Sequence, residues 1–136
     1  MPESAAHARL VMVLLDYLHR EFASLTDIVI RDDSAAPLRR ERPPTIGGFV
    51  PDLFAVDVPT TRTLIGEAKT IQDLETDHSR AQIVAFLGYL GQVPNGTFLL
   101  SVPLEASATA KRILRQVSAE LPPAPTRILV LDGLTP

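Results

Sequence analysis

The chain has 136 residues, 46% of them apolar, a formal net charge of −3 and no cysteine. That length and composition predict one domain, residues 1–136, with a core of its own, and exclude a disordered chain. The missing cysteines exclude a disulfide framework and a thiolate zinc site, and the acidic balance argues against general nucleic-acid binding.

Any contact with DNA or RNA would therefore depend on a local basic patch. Arg31, Arg39, Arg40 and Arg42 form one candidate, and Lys111, Arg112 and Arg115 another. Alone, each reads as solvated surface. Asp16 interrupts the longest apolar run, so no membrane span is expected. Met1-Pro2-Glu3-Ser4 lacks the positive charge of a signal peptide, and the expected location is the cytoplasm.

In chain order, Glu3 to Ala23 reads as a helix, because Leu10, Val11, Leu14, Leu15, Leu18 and Phe22 recur at helical spacing. Asp27 to Arg31 is a short β-prone run. A long loop follows, with Pro37, Pro43, Pro44, Gly47 and Gly48, and the two glycines are expected to permit a tight approach before the next strand. Asp52 to Val58 and Thr63 to Lys69 read as two strands joined by Pro59-Thr60-Thr61-Arg62. A helix spans Thr76 to Leu90, with Ile83, Phe86, Leu87 and Leu90 as its apolar stripe, Thr76 or Asp77 as its cap and Gly91 as its stop. Thr97 to Val102 is a strand, Glu105 to Ala119 a helix, and Arg127 to Leu131 a last strand. The order α-β-β-β-α-β-α-β predicts an α/β fold with a central mixed sheet flanked by helices.

The chemistry sits on the hairpin. A turn centred between Thr60 and Thr61 places Asp52 opposite Lys69 and Phe54 opposite Glu67. Opposed residues share a face, as do residues two apart on one strand. Asp52, Glu67 and Lys69 then converge at one end of a face otherwise filled by Phe54, Val56, Val58 and Ile65. A one-residue slip would undo this convergence. Two carboxylates at an apolar edge repel unless a cation joins them, and hard oxygen donors suit Mg2+ or Mn2+. The Ala68 carbonyl could add a ligand, and Lys69 could orient a water and offset charge developing on phosphorus.

Pro51-Asp52 followed by Gly66-Glu67-Ala68-Lys69 resembles the PD-(D/E)XK, or restriction-endonuclease-like, nuclease superfamily. Element order is similar from Glu3 to Val102, and the close match runs from Pro51 to about Leu90. The resemblance implies an αβββαβ core, here with a C-terminal αβ extension. It implies Mg2+-dependent hydrolysis of DNA phosphodiester bonds, in defence, mobile-element processing or repair. Asp52 and Glu67 would hold the metal, and Lys69 would assist the water. Gln82 resembles the glutamine that many members carry on the next helix. The first-helix acid of many members has no clear equivalent; Glu3, Asp16 and Glu21 are the acidic options, and Glu3, one turn before His7, is preferred. His7 and His19 themselves read as surface or packing residues.

Asp52 could instead simply begin a strand, and Glu67 and Lys69 could form an exposed ladder. Leu64, Ile65 and Ala68 argue for a central strand, where exposed charges are unexpected. The competing function is a catalytically inactive member of the fold that binds nucleic acid or protein. With only 5% aromatic residues, single-strand stacking platforms are few, which favours duplex DNA held partly by Arg39, Arg40 and Arg42. A two-strand cut needs two sites, so a homodimer or larger complex is expected.

Overall fold

We describe residues 4–21, 28–33, 42–57 and 61–133 of the chain from a computed structural model. Glu3, Arg39 and Arg40 lie outside the described residues.

Helix α1 spans Ala5–Glu21. It begins two residues later than its apolar pattern predicts, because Ser4 precedes it as a cap, with Oγ accepting from the His7 N–H at 3.0 Å. Val11, Leu14, Leu15 and Leu18 form its buried stripe. Five strands follow, β1 (Ile28–Asp32), β2 (Leu53–Asp57), β3 (Thr63–Ala68), β4 (Gly96–Ser101) and β5 (Arg127–Leu131). They form one mixed sheet in the order β1-β2-β3-β4-β5, antiparallel from β1 to β3 and parallel from β3 to β5.

Every residue of β3 and β4 is buried, as strands covered on both faces must be. Leu53, Ala55, Leu64, Ala68 and Leu99 pack with the stripe of α1 on one face. Phe54, Ile65, Phe98 and Leu100 pack on the other, against α3 (Asp77–Leu90) and α4 (Ser107–Glu120). The result is helix, sheet, helix pair. A one-turn helix, α2 (Ile71–Leu74), precedes α3, and a 3-10 turn at Leu104–Ala106 leads into α4. Neither short piece has the periodicity that would mark it in the sequence. Thr76 caps α3, its Oγ1 accepting from the Ser79 N–H at 3.1 Å. No helix among the described residues is long and apolar enough to cross a membrane.

The hairpin register differs from expectation. Leu53 pairs with Gly66, Phe54 with Ile65 and Val56 with Thr63. Phe54 is therefore not opposite Glu67, nor Asp52 opposite Lys69. The shift is two residues, so it preserves which side chains share a face. The loop before β2 closes on itself, with Ile46 and Phe49 exchanging two backbone hydrogen bonds at 2.7 and 3.0 Å. Gly47 and Gly48 occupy its tip at φ +59 and +87°, the left-handed pair of a tight turn. The turn lies so close to α3 that a Cβ on Gly47 would sit 2.8 Å from that of Ala85.

Candidate active site

Because β2 runs antiparallel to β3, the start of one meets the end of the other. Asp52 lies just before β2, where the chain bends, and Glu67 lies near the end of β3, followed by Lys69. Gly66 lets α1 settle close over this end of the sheet. A Cβ there would meet the Leu14 methyl carbons at 3.2 and 3.3 Å and the Leu53 Cβ at 3.3 Å.

The two strand ends are clasped through their acidic side chains. The Asp52 N–H donates to Glu67 Oε1 at 2.8 Å. The Ala68 N–H donates to Asp52 Oδ2, also at 2.8 Å. The Asp52 carboxylate thus serves as an acceptor for β3 beyond the last paired residues of β2. From the other side of the sheet, His7 Nε2 approaches the same Oδ2 at 3.3 Å. From the sequence His7 reads as a surface or packing residue, not as part of this group. Its seat on the first turn of α1, one turn after the Glu3 position, was the only signal available.

Lys69 completes the group. Its Nζ lies 3.4 Å from Glu67 Oε2 and donates to Oε1 of Gln82, which α3 presents from its first turns. The structure therefore brings Asp52, Glu67, Lys69 and Gln82 together and adds His7. It does not bring Arg42 into the group. The Arg42 Nη1 lies 3.3 Å from Asp33 Oδ1, an exposed pair on the β1 side.

Burial differs sharply across the site. Glu67 is 2% exposed and Lys69 8%, whereas the side chains of Asp52 and His7 are 15% and 26% exposed. Burial, and then repulsion from Asp52, push the Glu67 carboxyl from 4.5 up to about 8, although Lys69 and the Asp52 N–H pull it down. Desolvation outweighs the attraction of the lysine. A buried acid in this state holds a proton near neutrality or accepts a cation in its place. Among the described residues, no three His, Asp or Glu side chains are grouped as a ready-made metal cage.

No protein-family model, no curated protein and no solved structure matches the chain.

Proposed function

We propose that the chain is a divalent-metal-dependent nuclease of PD-(D/E)XK type, with a restriction-endonuclease-like arrangement of its αβββαβ elements. One observation carries the reading. The aspartate, glutamate and lysine of the pattern meet at one end of a central strand, and Gln82 reaches them from the following helix.

The donor set fits a hard cation. Asp52 and Glu67 supply neighbouring carboxylate oxygens, and a bound cation would offset the repulsion from Asp52 that, after burial, raises the Glu67 pKa. The Asp52 and Glu67 carboxylates would hold Mg2+ or Mn2+, with the Ala68 carbonyl as a further donor. Mg2+ ordinarily keeps several waters and substrate phosphate oxygens, so a complete protein cage is not required of the chain. Bound there, the ion would supply Lewis acidity toward a phosphodiester. Lys69, oriented by Gln82 and Glu67, would position the attacking water and offset negative charge developing at phosphorus. The Ala68 N–H and His7 would hold the Asp52 carboxylate in one orientation. Duplex DNA remains the favoured substrate, and a homodimer the arrangement that would cut both strands.

The near-complete burial of Glu67 and Lys69 favours a second reading. In it the pair is an inert structural bridge, and the domain binds nucleic acid or protein without cutting. One experiment separates the two. Wild-type protein and Lys69→Ala are incubated with supercoiled, linear and branched DNA in Mg2+, Mn2+ or chelator. Cleavage by wild type alone, stopped by chelator, supports the nuclease. No cleavage of any substrate, together with no metal uptake by calorimetry, supports the binding domain.

A further inference from the structure

Strand β5 ends the sheet, and among the described residues no strand pairs with its outer edge. Its backbone alternates in a known sense. The Val102 N–H donates to the Leu131 carbonyl at 3.0 Å, so the main chain of Leu131, and by alternation that of Leu129 and Arg127, faces β4. The N–H and C=O groups of Ile128 and Val130 therefore point away from the sheet.

The same edge opens onto two adjoining depressions. One, of about 470 Å3, is lined by Lys111, Leu114, Arg115, Ser118 and the β5 residues Ile128 to Val130. The other, of about 250 Å3, continues from Ser118 and Ile128 along Leu87 and the Leu121–Ala124 segment. The larger falls within the roughly 300–1,000 Å3 typical of ligand pockets. Its floor is apolar, and its rim carries Lys111 and Arg115, both exposed and one helical turn apart. Neither forms an ion pair with a described residue, whereas the neighbouring Arg112 lies 3.5 Å from Glu75.

We infer that β5 and the adjoining groove receive an extended acidic polypeptide segment, which adds to the sheet as a sixth strand. Main-chain hydrogen bonds to Ile128 and Val130 would supply the affinity common to strand addition. Acidic side chains two apart on a strand are spaced about 6.8 Å, close to the ~5–6 Å between residues one turn apart on a helix. Alternate glutamates on the α4 face would thus reach Lys111 and Arg115, their methylene stems lying over Leu114 and Val130.

Charge selects this occupant over two others. A second copy paired through β5 about a two-fold axis would put both α4 helices on one side of the joined sheet. Lys111 and Arg115 of each would then face the same cations of the other, which is repulsive. A nucleic acid would match the cations, but its phosphates offer no donor for the Ile128 and Val130 carbonyls and no apolar group for the floor. The inference is independent of the nuclease reading.

The test uses the full chain and a fluorescent, blocked seven-residue peptide alternating valine and glutamate, with a valine–lysine peptide as control. Anisotropy should show saturable binding of the first and at least tenfold weaker binding of the second. Val130→Pro removes an outward-facing N–H and leaves the β4 ladder intact. It should weaken binding at least tenfold while the melting temperature stays within a few degrees. Lys111→Glu with Arg115→Glu, both at exposed positions, should do the same and keeps the test decisive if the proline variant unfolds. Equal binding of the two peptides, or unchanged binding by the charge-reversed variant, overturns the inference. So does displacement of the peptide by duplex DNA, or a dimer in sedimentation that Val130→Pro dissociates.

Discussion

The Asp52 N–H donates to Glu67 Oε1 at 2.8 Å, yet the Asp52 charge also raises the pKa of that same glutamate. One residue holds the other in place and opposes its ionisation. The hydrogen bond fixes the geometry of the site, while burial, with this repulsion added, favours the protonated form of Glu67.

A pH dependence of stability follows. The folded pKa of Glu67, about 8, exceeds its ordinary 4.5, so between these values the folded chain binds more protons than the unfolded one. Stability from this group is fully present below about pH 4.5 and is lost as pH rises through 8, on the order of a few kcal/mol. In chelator, the melting temperature should fall between pH 5.5 and 8.5. Glu67→Gln, which cannot ionise, should flatten that slope, and Mg2+ should raise the wild-type value most at the alkaline end. A wild-type slope that survives in Glu67→Gln would place its origin elsewhere.

Lys69→Met keeps the aliphatic stem and removes the charge 3.4 Å from Glu67 Oε2. The lysine lowers the Glu67 pKa, so without it the glutamate keeps its proton to a still higher pH. At pH 8.5, just above the wild-type Glu67 pKa, the substitution should destabilise by up to about 1 kcal/mol, the ionisation that the variant no longer gains. At pH 5.5, where Glu67 holds its proton, the cost should largely vanish. Denaturant unfolding at the two pH values measures the difference, and equal costs would show that the pair contributes no charge coupling.

What the sequence disclosed and what it hid follow from locality. Alternation along β2 and β3 sets which side chains share a face, so the meeting of Asp52, Glu67 and Lys69 could be read from residue spacing alone. The pairing offset could not, because Pro59-Thr60-Thr61-Arg62 admits more than one turn centre and a two-residue shift leaves the alternation unchanged. Gln82 was placed by family resemblance, since helical spacing alone reads it as surface. The approach of His7 to Asp52 was hidden for a different reason. It depends on how closely α1 packs over Gly66, a contact between segments far apart in the chain.

The Gly47-Gly48 turn separates two costs that glycine substitutions usually mix. Both residues have positive φ, at +59 and +87°, but only Gly47 lacks room for a side chain, 2.8 Å from Ala85 Cβ. Gly48→Ala should cost the left-handed penalty alone, about 1–2 kcal/mol. Gly47→Ala adds a clash with α3, worth a further ~1–3 kcal/mol as overpacking. Chemical denaturation of both variants should rank Gly47→Ala as clearly the less stable. Equal losses would mean that the turn moves off α3 without cost.

His7 supports Asp52 without being its only support. Its Nε2 lies 3.3 Å from Asp52 Oδ2, but the Ala68 N–H holds the same oxygen at 2.8 Å. Losing the partly exposed contact to Asp52 is worth roughly 0.5–1.5 kcal/mol, or about two- to tenfold in rate. Under the proposed nuclease activity, His7→Ala should therefore slow cleavage by that modest factor, whereas Asp52→Ala should abolish it. Gly66→Ala should reproduce the His7→Ala defect, because its Cβ would press on Leu14 and lift α1 away from the sheet end. If His7→Ala were as inactive as Asp52→Ala, the histidine would have to contact the reacting groups directly rather than steady the aspartate.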